Sequence, residues 1–275
     1  MMASKEVFTF TTSDGVKLVC ARYEPSRPSK GTIGFFSPGW SADFNDYEPL
    51  TKRLVDDLHY NLIAVNPRGH AGSGGILHPT RSIDDLEEIF NKHGEERAAF
   101  LGHSISSFAI EAARRTDPKA IILINPYINT SYLTSALKTG VHVSHAMKKT
   151  GISWLLDGPL SLLPLHKVGL HMKYPIANTA TLKDIDLKKF QPIDTPLLYF
   201  VADQDRTLGT KKRSKEYQEF IGTMSTDSQD ASDLVTGLNH CLNYEGLVPF
   251  FKEEQGKDRD RVFEKVESFL SSYMR

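Results

Sequence analysis

Residues 97–115 read Arg97-Ala-Ala-Phe-Leu-Gly-His-Ser-Ile-Ser-Ser-Phe-Ala-Ile-Glu-Ala-Ala-Arg-Arg115. The first part is a short continuous apolar run, the form of a strand buried on both faces, and the last part has helical spacing. Between them, Gly102-His103-Ser104-Ile105-Ser106 makes a tight strand-to-helix turn with small residues two places either side of the serine. Such a turn strains its serine and thrusts the hydroxyl out at the carboxyl end of a sheet. The amide of Ile105, at the helix N-terminus, then points to where an oxyanion would form. Gly-x-Ser alone is weak evidence, and a second instance, Gly151-Ile152-Ser153-Trp154-Leu155, follows no strand and has a bulky Leu155. Context selects Ser104 over that decoy, and over the plain reading of a helix N-cap serine.

Outward from this turn, other short apolar runs stand at Thr32–Phe36, Leu62–Val65, Ala120–Ile124 and Leu197–Ala202, with helical patterns between. The helical candidates are Tyr47–Leu58, Ile83–His93, Ile105–Arg115, Lys211–Phe220 and Arg259–Tyr273. In the last, Val262, Val266, Phe269 and Leu270 share one stripe. The alternation predicts an α/β protein with a mostly parallel, doubly wound sheet. Ahead of it, Glu6–Thr12 and Val16–Tyr23 alternate as an antiparallel pair joined at Ser13-Asp14-Gly15. Residues 128–190 show no clear strand and are too long for an ordinary loop, so they are read as a helical lid inserted after the sixth strand. The core is then 1–127 with 191–275.

The chain has 275 residues, 40% hydrophobic and 24% charged, which excludes a disordered chain. That length buries roughly three quarters of the unfolded surface, so no disulfide or metal is needed to hold the core. Lys and Arg total 33 against 34 Asp and Glu, a net charge of −1 that argues against nucleic acid or an anionic membrane as partner. Cys20 and Cys241 are too few for a disulfide framework and point to a reducing compartment. The N-terminal stretch lacks the apolar core of a signal peptide, and no run reaches the ~18 apolar residues of a membrane span. The expectation is a soluble, cytoplasmic protein, monomer or homodimer, acting on a small molecule.

Four regions now line up in order: Ser37-Pro38-Gly39-Trp40, Asn66-Pro67-Arg68-Gly69-His70, Gly102-His103-Ser104-Ile105-Ser106, and Ala202-Asp203-Gln204-Asp205 followed by Gly237-Leu238-Asn239-His240. Together they resemble the α/β-hydrolase family in its lid-bearing serine esterase and lipase-like branch. The resemblance implies the α/β-hydrolase fold and a triad in the order nucleophile, acid, histidine. A serine attacks only if a base takes its proton, and that base needs a carboxylate to fix its tautomer. His240, expected after a last strand around Asp233–Thr236, fills the base position, and the Gly-x-x-Asp pattern favours Asp205 over Asp203 as the acid. The amides of Trp40 and Ile105 are the implied oxyanion donors. Gly39, His103, Asn125 and Trp154 are assigned to the substrate pocket. Three departures stand out: Ser106 and Ser107 replace the usual glycines, Asn66 and an extra Ala71 alter the Asp-x-Arg-Gly-His-Gly loop, and Pro38 replaces a histidine.

The implied chemistry is two-step acyl transfer with no cofactor and no metal. His142 and His145 lack further ligands at metal spacing, Gly72-Ser73-Gly74-Gly75 lacks a phosphate-loop lysine, and Lys148-Lys149 and Lys211-Lys212-Arg213 read as exposed helix faces. The leading expectation is a carboxylic ester hydrolase for apolar acyl groups. A thioesterase or acyltransferase using the same acyl-serine is the close rival, and a catalytically silent ligand-binding protein the remote one.

Overall fold

The computed structural model describes residues 4–36, 43–75, 78–93, 98–104, 109–128, 142, 146, 149–150, 186–189, 191–202, 211–235 and 256–274. Strands β1 (Ser4–Thr11) and β2 (Lys17–Glu24) pair antiparallel, from Ser4 opposite Glu24 to Thr11 opposite Lys17. Their turn closes through Thr12 N to Val16 O and Gly15 N to Thr12 O, both 2.9 Å, with Gly15 at φ 81°. Glycine takes that left-handed conformation without steric cost.

The remaining strands are β3 (Thr32–Phe36), β4 (Asn61–Val65), β5 (Ala98–His103), β6 (Ala120–Ile124), β7 (Leu197–Phe200) and β8 (Ser228–Asp230). They form one eight-stranded sheet in the order β1-β2-β4-β3-β5-β6-β7-β8, parallel from β4 onward. Alternate residues feed opposite faces. In β6, Ala120, Ile122 and Ile124 join one core with α1 (Glu48–Lys52) and α5 (Gly256–Tyr273), while Ile121 and Leu123 join the other. That second core packs under α2 (Pro79–His93), α3 (Ala109–Thr116) and α4 (Lys211–Gly222). Both faces are covered, which is why the central strands are apolar throughout. The expected stripe on α5 is buried, with Val262, Val266, Phe269 and Leu270 each under 5% exposed.

The chain moves from β3 outward to β4, then returns across β3 to β5 and continues the other way. The carboxyl ends of β3 and β5 therefore flank a topological switch point, where open α/β sheets place their ligands.

Two expectations are corrected. The last strand among the described residues is Ser228–Asp230, and Ser232–Val235 is a 3-10 turn instead of a strand. Among the described residues strand β8 pairs with β7 alone, and it is polar, so no apolar run marks it; the misleading Leu234 packs on the first core from the turn. The expected helix Tyr47–Leu58 is three pieces: a 3-10 turn Phe44–Tyr47, α1, and a π-turn Arg53–Asp57. A capping box at Asp43 starts the first piece, and Leu58 N reaching back to Arg53 O (3.1 Å) widens the last.

The loop after β4 is a structural lock. Arg68, 5% exposed, sends its fork to Asp85 on α2 (Nε to Oδ2, 2.7 Å, and Nη2 to Oδ1) and to Asp14 of the β1–β2 turn (3.0 Å). Bonds to Arg68 and Thr12 hold the Asp14 carboxyl well below the usual carboxylate range. Burial raises Asp85 against the pull of Arg68. His70, 1% exposed, is pushed down to about 4 by burial. Among the described residues no helix is long and apolar enough to cross a membrane.

Candidate active site

Strand β5 ends at His103, and the next residue, Ser104, has φ 55°. A non-glycine residue seldom adopts this left-handed conformation, and here it falls where a strand must turn abruptly. The half-buried Ser104 is held by its own carbonyl, which accepts from Tyr127 N at 2.7 Å. Residues 105–108, with the Ile105 amide, lie outside the described residues; α3 resumes the predicted helix at Ala109 and buries Ala109, Ile110, Ala112 and Ala113.

The residue before the serine is buried and hydrogen-bonded. His103 is 3% exposed and shares a 2.6 Å hydrogen bond between Nδ1 and Tyr47 Oη, with the rings in edge contact at 5.6 Å. Tyr47 ends the 3-10 turn Phe44–Tyr47, whose first amide, Phe44 N, donates to Asn66 Oδ1 at 3.0 Å. That turn is thus tied both to the β4 loop and to the residue before Ser104.

Next to β5, β6 runs with Ile124 opposite His103, and the following residue, Asn125, is again left-handed at φ 43°. Asn125 N donates to Phe200 O (2.8 Å) and its Oδ1 accepts from Ala202 N (2.7 Å), binding the end of β6 to the end of β7. Sequence reasoning counts His103 and Asn125 among substrate-pocket residues. The structure buries both, at 3% and 2% exposure, and gives them these protein partners.

The other site residues named from sequence, Gly39, Trp40, Trp154, Asp205 and His240, and the competing Asp203, lie outside the described residues, as does the decoy Ser153. What is described are the strand ends they follow. Gly39 and Trp40 come three and four residues after β3, Asp203 and Asp205 three and five after β7, and His240 ten after β8. Strands β3 to β8 are parallel, so all these exits leave from one edge of the sheet, the edge that carries Ser104. Tyr47 and Ser232, whose bonds shape this edge, were not marked by any sequence signal.

No protein-family model matches the chain. Solved structures share its architecture. An esterase from Exiguobacterium antarcticum aligns with TM-score 0.66 at 16% identity over 97% of this chain and 100% of its own. An esterase from Pyrococcus furiosus gives 0.66 at 20% identity over 99% and 92%. The α/β hydrolase GrgF from Penicillium sp. sh18 gives 0.70 at 14% identity over 98% and 99%. Likeness at this identity speaks for architecture, not for substrate. Strand order, switch point, the left-handed serine after β5 and this full-length likeness agree: the chain has the α/β-hydrolase fold.

Proposed function

We propose that the chain is a serine hydrolase that cleaves carboxylic esters of apolar acyl groups through an acyl-serine intermediate. The observation that carries this reading is Ser104, left-handed at φ 55°, one residue past the central strand β5 and beside the switch point. Two of the structural neighbours are esterases. In this mechanism His240 takes the Ser104 Oγ proton as the oxygen attacks the ester carbonyl carbon. Asp205 holds the imidazole in the required tautomer and stabilises its cation. The amides of Trp40 and Ile105 bind the oxyanion, each such donor supplying about 3–4 kcal/mol. His240 then protonates the leaving alcohol, and water, deprotonated by the same histidine, releases the acid. Residues 128–190 serve as the cap, with Trp154 and its leucines taking the acyl chain.

The test is hydrolysis of p-nitrophenyl esters from acetate to palmitate, wild type beside Ser104→Ala, with fluorophosphonate labelling of both. Hydrolysis and labelling that Ser104→Ala abolishes support the reading, and the chain-length optimum reports the depth of the acyl site. Labelling of Ser104 without turnover of any ester moves the substrate to acyl thioesters. A folded wild type that neither labels nor hydrolyses overturns the proposal.

A further inference from the structure

Strand β7 stops at Phe200, and the next two amides leave the ladder just before Asp203. Val201 and Ala202 are both 0% exposed, so water cannot reach their N–H groups. Each is taken by a side chain from a different strand end. Val201 N donates to Ser232 Oγ at 3.0 Å, and Ala202 N donates to Asn125 Oδ1 at 2.7 Å.

Both acceptors are themselves fixed. Asn125 is held by its own N–H to Phe200 O and by its left-handed backbone, a conformation asparagine tolerates better than most residues. Two residues on, Tyr127 N is bonded to the Ser104 carbonyl. Ser232, 6% exposed, opens the 3-10 turn that leads toward His240, and its N–H donates to Asp230 Oδ1 at 2.9 Å. Three hydrogen bonds, joined by short stretches of backbone, thus run along the carboxyl edge. They pass from the Ser104 carbonyl through residues 125–127 to Val201 and Ala202, and on to Ser232.

From this juxtaposition we infer that Asn125 and Ser232 are positioning residues that set where the chain departs toward the triad acid, relative to both the nucleophile and the base. The inference rests on the hydrolase reading above. A catalytic carboxylate works only if its geometry holds to well under ~1 Å, and a shift of that size costs up to roughly 100-fold. Holding two consecutive amides from opposite sides removes the freedom of the loop stem to rotate, which a single bond leaves.

The test compares wild type with Asn125→Gly and Ser232→Ala. Glycine accepts φ 43° without strain, so Asn125→Gly removes the acceptor and spares the backbone. Ser232→Ala changes one oxygen and serves if the glycine variant does not fold. Active sites are counted by fluorophosphonate titration, and rates are expressed per titrated site. The expected result is a kcat lower by roughly 10- to 100-fold with KM within about 2-fold of wild type. The acid limb of the kcat/KM profile moves to lower pH, because a histidine with a displaced carboxylate partner holds its proton less tightly. A purely structural role lowers the number of titrated sites and leaves per-site kcat and the acid limb unmoved, which overturns the inference while the hydrolase reading stands. A wild type that does not react with the phosphonate removes the hydrolase reading, and this inference with it.

Discussion

Replacing Ser104 by glycine and by alanine gives a stability comparison whose sign reports strain at the turn after β5. Both variants lack the hydroxyl, and both keep the carbonyl that accepts from Tyr127 N. They differ in the Cβ atom. At an ordinary position glycine is less stable than alanine by about 0.5–1 kcal/mol, through the extra entropy of the unfolded chain. At φ 55° the Cβ is crowded, at a cost of about 1–2 kcal/mol that glycine escapes. The balance therefore reverses, and Ser104→Gly should be more stable than Ser104→Ala by about 0.5–1 kcal/mol. With a urea m-value near 3 kcal/mol per M for a chain of this length, that is a midpoint about 0.2–0.3 M higher. The assay is urea unfolding of both variants at equal protein concentration, read where the two m-values agree. An alanine variant more stable by about 0.5–1 kcal/mol, the usual glycine penalty, would falsify the assignment of strain to Ser104.

Three further outcomes follow from the packing. His70 has its folded pKa pushed down to about 4 by burial, against 6.5 when unfolded, so the unfolded chain binds the extra proton between those values. Stability should therefore fall by about 2 kcal/mol between pH 7 and pH 5 on account of this ring, and His70→Leu should lose that part of the slope in urea midpoints. Asp85→Ala leaves the buried Arg68 guanidinium without its bidentate partner and should cost about 3–5 kcal/mol, whereas the double variant Arg68→Leu with Asp85→Leu should cost much less. Equal losses in the two would show that the pair's charges do not matter. Cys20 is 0% exposed and its thiol is pushed up to about 12, so iodoacetamide at pH 8 should spare it in the native protein and modify it in urea. Peptide mass mapping that finds native Cys20 alkylated at the rate of a free thiol contradicts its burial.

The central sheet was legible because strands covered on both faces need continuous apolar runs. Thr32–Phe36 and Ala120–Ile124 have the bounds their composition predicts. Strand β8 was not legible, since an edge strand of Ser228, Gln229 and Asp230 buries little and leaves no apolar trace. At the site, Ser104 stood out because the turn demands small residues locally, a constraint written within five positions. Tyr47 acts across 56 residues on His103, and Ser232 across 31 on Val201. Contacts made through space at such separations impose no local pattern, so these contacts stayed hidden while the turn at Ser104 did not. The Asn66–Ser73 loop falls between the two. Its motif was readable in the sequence, but the partners Asp14 and Asp85 emerge only from the fold.

Five non-glycine residues have positive φ: His59, Ala71, Ser104, Asp117 and Asn125, among the described residues. Asp117 follows α3, where Asp117 N reaches back to Ala113 O, and His59 follows the π-turn; a left-handed residue is the common way to end a helix. Ala71 lies in the loop that Asn66 and Ser73 tie down. Ser104 and Asn125 end no helix. They stand side by side, one residue beyond the paired His103 and Ile124, where two neighbouring parallel strands break at the same level. A chain that only needed to leave the sheet there would use glycine, which takes these angles freely. Retaining a hydroxyl at one position and a carboxamide at the other means that the side chains are what the strain supports. At Asn125 that side chain's task is visible in the bond to Ala202, and at Ser104 the same reasoning points to the hydroxyl, the group that the proposed mechanism uses as nucleophile.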